Sequence, residues 1–261
     1  MLYPALKTTG SSEADLTEAE KDAVLSEARR KKAELLEYEA KEERRRLWEE
    51  EIRRPWGPKE LDTYIRWKAV KNGIRFELDA NNHSVYKALC RYFTGHESFE
   101  TKDEGKELGW SLKKGILLCG PVGTGKTTLM GLFRANKRRS FKVFSCSELA
   151  DRFAEEGHEV IQVWSGTIKV PTSSDTFYQN EIGVCFDDLG EEGVKKNFGN
   201  QVNVMADILK KRYDYGLDHH YTHITTNLTG DEIEQFYGTR VRSRMREMFN
   251  LITLGGGDRR R

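Results

Sequence analysis

The sequence predicts an α/β fold, a three-layer structure in which a parallel β-sheet carries helices on both faces. Three observations favour this class. A glycine-rich loop, residues 120–127, joins an apolar run to a segment with helical character. Further apolar runs of strand length alternate with helix-like segments along the chain. An acidic pair, Asp187-Asp188, directly follows one of these runs, and ligands of such sheets bind where parallel strands end.

The N-terminal residues 1–60 are predicted to form a tail and a charged helical arm outside the sheet. Thr17 and Glu20 have the spacing of a capping box, and the chain from there to about Arg54 lacks glycine and proline. We therefore expect one long helix or a helix pair. Its surface is either a solvated charged face or a docking site for a protein partner. The candidate contacts of that docking site are Leu35, Leu36, Leu47 and Trp48.

The elements of the α/β domain are predicted in order along residues 81–261, after a connector at residues 61–80. An amphipathic pattern indicates a helix at 84–94. Buried strands are expected at 116–119, 141–144, 182–186 and 223–226, with helices at 147–153 and from 200 to about 213. Two short helices follow the fourth strand. A capping box beginning at Thr229 opens the first, and an apolar face that extends to Ile252 defines the second.

The composition is that of a soluble protein and selects no particular partner. Charged residues make up 33% of the chain, hydrophobic residues 37%, and the net charge is +1. No apolar run approaches the length of a membrane span, and no signal peptide is visible. We expect a cytoplasmic protein with reduced thiols at its four widely spaced cysteines: Cys90, Cys119, Cys146 and Cys185.

The glycine-rich loop matches the complete P-loop pattern G-x-x-x-x-G-K-[ST]. Its glycines allow backbone N–H groups to surround a phosphate, and the helix that follows adds the positive end of its dipole. Lys126 is expected to contact the β- and γ-phosphates, and the Thr127 hydroxyl to bind Mg²⁺. We therefore expect ATP or GTP as the ligand and Mg²⁺ as the cofactor. The predicted nucleotide-binding residues are Gly120, Pro121, Val122, Gly123, Thr124, Gly125, Lys126, Thr127 and Thr128.

The acidic pair supplies the other half of the predicted site. Asp187 is expected to hold Mg²⁺, directly or through water, and Asp188 to orient or deprotonate the attacking water. Asn227 follows the strand predicted at 223–226 and is a candidate partner of the γ-phosphate or of that water. A turn-forming asparagine is the alternative interpretation of Asn227.

Arginines are concentrated near the C-terminus. Four of them fall within residues 240–246, where they would repel one another unless anions meet them. Arg240 and Arg244 share one helical face, and an arginine that enters a neighbouring subunit's site stabilises transition-state charge. A basic surface helix, for example for nucleic acid, is the alternative. The terminal arginines 259–261 follow a glycine stretch that would let one of them return to the nucleotide.

In this order the motifs resemble those of the DnaC/IstB-type AAA+ ATPases over roughly residues 80–260. The resemblance implies a P-loop NTPase of the AAA+ type with a minimal lid. Asp188 departs from the glutamate of many AAA+ proteins, and the shorter acid is expected to slow hydrolysis. The roles that the resemblance implies are sensor 1 for Thr226-Asn227, trans-acting arginine finger for Arg244 with Arg240 as companion, and sensor 2 for Arg260 with Arg259 as rival.

The resemblance also implies a bacterial replicative helicase loader. Such a protein would bind ATP and Mg²⁺, associate with itself head to tail and contact single-stranded DNA. Its charged arm would dock on a ring helicase. The residues themselves indicate a candidate DNA patch, since basic groups bind the backbone and aromatic rings stack on bases. A solvated helix end explains this patch equally well. Its residues are Lys210, Lys211, Arg212, Tyr213 and Tyr215.

Three other functions fit the same motifs. An IstB-type transposition helper would bind duplex DNA and recruit a transposase, and only the N-terminal arm separates it from a loader. A P-loop kinase would transfer phosphate to a small acceptor as a monomer, which Asn227 and the arginine cluster disfavour. A non-hydrolysing ATP switch would keep its function in the variant Asp188→Asn.

Overall fold

The computed structural model describes four stretches of the chain, and the predicted N-terminal tail lies outside them. The chain separates into two compact units, Met1–Arg53 and Arg54–Arg261. The described stretches are residues 17–100, 109–193, 195–197 and 200–260.

The described part of the first unit, residues 17–53, forms one helix, α1 (Glu18–Arg53), where the sequence predicts a long helix or a helix pair. The predicted capping box is present, because the N–H and hydroxyl of Thr17 both donate to the Glu20 carboxylate at 2.8 Å. No residue of α1 is buried within the described structure, and ion pairs such as Lys31–Glu27 at 2.8 Å follow its surface. Such pairs contribute about 0.3 kcal/mol each. Across the described residues no helix, α1 included, is long and apolar enough to span a membrane.

The second unit alternates strands with helices. Its helices are α2 (Pro58–Lys71), α3 (His83–Thr94), α4 (Lys126–Phe133), α5 (Cys146–Glu156), α6 (His158–Trp164), α7 (Val204–Asp214), α8 (Gly230–Tyr237) and α9 (Thr239–Met248). Its strands are β1 (Gly115–Cys119), β2 (Phe141–Ser145), β3 (Ile168–Lys169), β4 (Glu181–Leu189), β5 (Lys195–Asn197), β6 (Asn200–Val202), β7 (Thr222–Thr226) and β8 (Phe249–Thr253).

The main sheet has the strand order β2-β4-β7-β1-β8, and all neighbours in this order are parallel. Strand β3 adds to β4 in the antiparallel sense, and β5 pairs with β6 in a separate ribbon. Successive residues of β1 face opposite sides, so Leu117 enters one apolar core while Ile116 and Leu118 enter the other. The predicted class, a parallel sheet with helices on both faces, is confirmed.

Three segments differ from the expectations drawn from the sequence. The helix expected from residue 200 begins at Val204, because residues 200–202 form β6. Residues 61–80, predicted to be a connector, contain most of α2, which buries Ile65 in a core, so the compact unit is larger than the predicted domain. Helix α9 ends at Met248, and Ile252 lies in β8 rather than on the helix. The position of Ile252 fits both the helical period that begins at Val241 and the two-residue period of a strand. Pairing of Phe249–Thr253 with β1 decides for the strand, because it extends the sheet.

Candidate functional site

The predicted nucleotide-binding loop lies between β1 and α4, at the edge of the sheet where β4 and β7 also end. A cleft of about 680 Å³ opens over this loop. The structure therefore brings residues from separate segments of the sequence to one cavity. The predicted site residues that line it are Val122, Gly123, Thr124, Gly125, Lys126, Thr127, Thr128, Asp188, Asn227 and Arg260.

Lys126 is folded against the base of the loop. Its ammonium group donates to the carbonyls of Gly120 at 2.9 Å and Pro121 at 3.0 Å, which places these two predicted residues beside the cleft. Burial lowers the pKa of the Lys126 ammonium, whereas the carboxylates of Asp188 and Asp187 act in the opposite direction. A partly desolvated cation in this position is suited to a phosphate, because an added anion offsets the cost of burying the charge.

The C-terminal segment, residues 254–260, makes a contact with the loop that the sequence does not predict. The N–H of Arg259 donates to the Gly123 carbonyl at 2.9 Å. A Cβ at Gly123 would lie 2.3 Å from the Asp258 carboxylate, and one at Gly120 would lie 2.1 Å from a backbone oxygen of the segment. These glycines therefore allow the C-terminal segment, as well as a phosphate, to approach the loop closely.

Strand β4 bends out of register at the acidic pair. Its pairing with β7 shifts between Phe186 and Leu189, and Asp188 has φ = 54°, in the left-handed region that residues other than glycine rarely occupy. The hydroxyl of Thr225 holds this bend. It accepts from the Asp188 N–H at 2.9 Å and donates to an Asp187 carboxylate oxygen at 2.5 Å. As a result Asp188 lines the cleft while Asp187 is buried beside it.

The buried carboxyl of Asp187 has an altered pKa. Burial raises the pKa of Asp187, and the nearby Asp188 carboxylate raises it further, while hydrogen bonds from the Thr225 and Thr127 hydroxyls lower it. The folded pKa therefore exceeds the unfolded pKa, which is ordinarily about 3.9. The charge on Asp187 costs stability progressively as pH rises from the unfolded to the folded pKa, and the full cost applies above both.

Asp187→Asn is expected to stabilise the nucleotide-free protein at pH 7 by about 1 kcal/mol. The amide carries no charge and still accepts from the Thr225 hydroxyl. The gain should shrink toward zero as pH falls through about 4, where the wild-type carboxyl is protonated in both states. Urea unfolding at several pH values measures the effect, with Asp175→Asn at an exposed position as the control. A loss of stability at pH 7 would contradict the assigned cost.

Asn227 brings an incompletely satisfied amide to the cleft. Its Oδ1 atom is buried and has no hydrogen-bond partner among the residues that the structure describes. Its Nδ2 atom donates to the Glu191 carboxylate at 3.3 Å, and Glu191 also lines the cleft. Buried polar groups are normally hydrogen-bonded, so the site offers an acceptor to a ligand or a water. The sequence alone indicates neither Glu191 nor Thr225, because their roles depend on how the strands are paired.

The predicted arginines fall into two groups. Arg260 lines the cleft, and so does Arg259, which forms an ion pair with Asp79 at 2.7 Å. Arg244 and Arg240 lie on α9 and are not among the described residues that line the cleft. Both sensor 2 candidates are therefore at the predicted site, whereas the two finger candidates are not.

The two finger candidates have different surroundings. Arg244 forms an ion pair with Asp214 at 2.7 Å, and its guanidinium lies 4.6 Å from the centre of the Tyr213 ring. Arg240 is exposed and has no ion pair among the described residues. Within one copy of the chain, α9 thus presents one anchored arginine and one exposed arginine away from the cleft.

The prediction that Arg212 belongs to an exposed DNA patch on α7 is wrong. Arg212 is only 1% exposed, and its guanidinium donates to the Thr222 hydroxyl at 2.9 Å and the Trp164 carbonyl at 2.7 Å. Burial lowers the pKa of the Arg212 guanidinium to about 10. This side chain holds α6, α7 and β7 together and is not accessible to a DNA backbone. Lys210 of the same patch already pairs with Asp207 at 3.3 Å.

The residues of the site fit ATP and Mg²⁺. Lys126 and the loop offer an anion-binding surface, and Asn227 offers a buried acceptor without a described partner. The two predicted Mg²⁺ ligands are adjacent, because the Thr127 hydroxyl hydrogen-bonds to Asp187. Oxygen ligands of this kind are those that Mg²⁺ prefers.

Less than half of this sequence is similar to a curated nucleotidase. No family model matches the sequence. The chain is 30% identical over 105 residues to the proteasome-activating nucleotidase of Sulfurisphaera tokodaii. The aligned part is 40% of this chain and 27% of that protein, so the chain spans about a quarter of this relative's length.

The structure is similar to solved structures at low sequence identity, including the following three. A DnaC helicase loader has 17% identity and a TM-score of 0.42, covering 69% of this chain and 93% of that chain. A DNA replication initiation factor has 16% identity and a TM-score of 0.44, covering 69% and 48%. A katanin structure that concerns self-assembly has 16% identity and a TM-score of 0.37, covering 66% and 50%. Similarities at this level establish neither activity nor partners.

The fold class expected from the motifs nevertheless holds on the structure's own features. The loop between β1 and α4, the acidic pair near the carboxyl end of β4 and the parallel strand order β2-β4-β7-β1-β8 form the predicted parallel sheet with a P-loop motif at its edge.

Proposed function

We propose that this chain is an AAA+ ATPase that binds ATP with Mg²⁺, hydrolyses it and acts as a helicase loader. The observation that carries the proposal is the convergence of Lys126, Asp188, Asn227 and Arg260 on one cleft. Two cations, a carboxylate and an amide are the groups that phosphoryl transfer to water requires around the triphosphate.

Each group has a separate task in the proposed reaction. Lys126 and the loop N–H groups bind and orient the β- and γ-phosphates. Asp188 orients the attacking water and accepts its proton, and the amide oxygen of Asn227 helps to hold that water. Thr127 and Asp187 would hold Mg²⁺, which would supply positive charge against the phosphates. The left-handed backbone of Asp188 is consistent with this role, since strained conformations cluster at functional sites.

Head-to-tail self-association would complete the site. Arg260, which lines the cleft, would stabilise the developing charge from within the same chain. Arg244 and Arg240 lie away from that cleft, so they would reach a nucleotide only in a neighbouring copy. Arg244 would then exchange its pairing with Asp214 for contact with the γ-phosphate.

The proposed partners are a ring helicase, which α1 would contact, and single-stranded DNA. No described residue of α1 is buried, and the apolar side chains of Leu35, Leu36 and Leu47 are each more than half exposed. Exposed leucines on an otherwise charged helix support a docking face. The ion pairs along α1 keep the helix extended without a core of its own, as a docking arm requires.

Co-elution with the replicative ring helicase of the same host tests the loader proposal. We expect a complex whose amount depends on ATP, and its loss when Leu35, Leu36 and Leu47 are replaced by Ala. Replacing Val24 and Leu25, which are exposed on the same helix, is the matched control and should preserve the complex. No complex under any condition would favour the transposition helper, to be tested with a transposase. Stoichiometric phosphate transfer to an acceptor by a monomer would favour a kinase.

A further inference from the structure

We propose that a second cleft, bordered by α2, the edge of β2 and the loop at residues 174–177, binds single-stranded nucleic acid. The cleft has a volume of about 900 Å³, and within the described residues it shares no lining residue with the nucleotide cleft. The inference rests on the proposed function for the expectation that DNA is a partner, and deepens it by naming the surface of contact.

The shape of this cleft suits an extended ligand. Strand β2 pairs with β4 alone among the described strands, so its other edge is open. The consecutive residues 140–144 all line the cleft. Because successive side chains of a strand point to opposite faces, a cavity that contacts every residue must follow the edge of the strand. The cleft is therefore a groove along the border of the sheet.

The charge of this groove suits a polyanion. Its charged lining residues are the cations Lys68, Lys71, Arg134 and Lys142 and the single acid Asp175. None of the four cations has an ion pair in the part of the chain that the structure describes. Burial lowers the pKa of the Lys68 ammonium, and the nearby Arg134 lowers it further, while Asp175 acts in the opposite direction. Cations from α2, the end of α4 and β2 thus share one groove, where an anionic backbone would offset their repulsion.

The aromatic side chains of the groove distinguish nucleic acid from an acidic peptide. Trp67 is 55% exposed, its ring lies 5.9 Å from that of Tyr64, and Tyr64 contacts Phe177 at 5.5 Å. The Lys71 ammonium lies 4.9 Å from the Trp67 ring centre. An open indole beside cations is the combination on which bases stack while their phosphates are neutralised. An acidic peptide would use the cations but would not need the open ring.

The groove is also a better candidate than the patch on α7. In that patch Arg212 is buried and Lys210 is paired, whereas the four cations of the groove have no described carboxylate partner. The larger uncompensated positive charge therefore lies along β2.

Fluorescence anisotropy of the full chain with a labelled oligothymidylate of about 16 nucleotides tests the proposal. We expect log K to fall with log salt at a slope of about −2.8 if four cations contact phosphates, and of about −1.4 for Lys68→Ala/Lys71→Ala. Trp67→Ala should weaken binding about 5- to 150-fold. An oligouridylate of the same length distinguishes RNA from DNA.

Matched variants separate binding in the groove from binding elsewhere on the protein. Lys87→Ala/Lys113→Ala removes two exposed lysines that do not line the groove and should bind like wild type. Wild-type binding by the groove variants, or loss of binding confined to Lys210→Ala/Lys211→Ala, would overturn the proposal. So would tighter binding of an oligoglutamate than of the oligothymidylate.

ATP hydrolysis measured on the same proteins distinguishes this proposal from the proposed function. Lys68→Ala/Lys71→Ala should hydrolyse ATP at the wild-type basal rate, since neither residue lines the nucleotide cleft. Oligothymidylate binding by a wild-type protein that does not hydrolyse ATP would contradict the ATPase and leave the groove standing. ATP hydrolysis without any oligothymidylate binding would contradict the groove proposal and leave the ATPase standing.

Discussion

Lys126→Ala is expected to reduce ATP hydrolysis about 10²- to 10³-fold and to weaken ATP binding, which is the size of loss when one preorganised donor is removed from a reacting site. The ammonium group is buried at the base of the cleft, near the carboxylates of Asp187 and Asp188. Its charge has no replacement on the loop itself, since the remaining loop donors are neutral N–H groups. The substitution therefore removes the point charge that, in the proposed function, would hold the β- and γ-phosphates.

Phosphate release at steady state and equilibrium binding of a fluorescent ATP analogue measure this effect. Lys113→Ala, at an exposed lysine, is the control for the loss of one positive charge. Thermal unfolding of both variants is also needed, because Lys126 donates to two loop carbonyls. Wild-type turnover by a folded Lys126→Ala protein would rule out the P-loop as the catalytic site.

Arg244→Ala is expected to bind ATP like the wild type but to hydrolyse it about 10³-fold more slowly. The expectation follows from the arginine-finger role, in which a guanidinium stabilises charge only in the transition state. Arg244 lies outside the cleft of its own chain and pairs with Asp214 at 2.7 Å. Its loss should therefore leave nucleotide binding by the same chain unchanged.

Mixing Arg244→Ala with Asp188→Asn tests whether the arginine acts between subunits. In mixed assemblies some interfaces join an intact Asp188 to an intact Arg244, so activity should partly return. Asp214→Ala provides the structural control, because it breaks the same ion pair while leaving the guanidinium in place. If Asp214→Ala lost as much activity as Arg244→Ala, and no mixing ratio restored activity, Arg244 would be an anchor of α9 instead of a finger. Arg240→Ala in the same mixtures tests the exposed companion.

Local signals in the sequence account for much of the fold. The capping box at Thr229 is present, with its N–H donating to Glu232 at 2.7 Å, and it begins α8 as predicted. The P-loop joins β1 to α4, and the acidic pair lies near the carboxyl end of β4. Each of these features is specified by residues a few positions apart. Their spacing is therefore visible without knowledge of the fold.

Ile252 and Arg212 show where local spacing is insufficient. Ile252 matches the period of the preceding helix, yet it lies in β8 because its segment pairs with β1. Arg212 belongs to a basic helix end, yet it is buried and donates to the Trp164 carbonyl, far away in the sequence. In both cases the deciding partner is distant in the chain, and short-range periodicity carries no information about it.

The sequence by itself determined the fold class, the position of the P-loop motif and the segments that supply the acidic and amide groups of the candidate site. Only the tertiary structure decided that Thr225 bridges the acidic pair, that Glu191 meets Asn227, and that α2 and β2 enclose a basic groove. The physical reason is that these contacts depend on strand register and on helix packing. Both are set by burial across the whole sheet and not by neighbours along the chain.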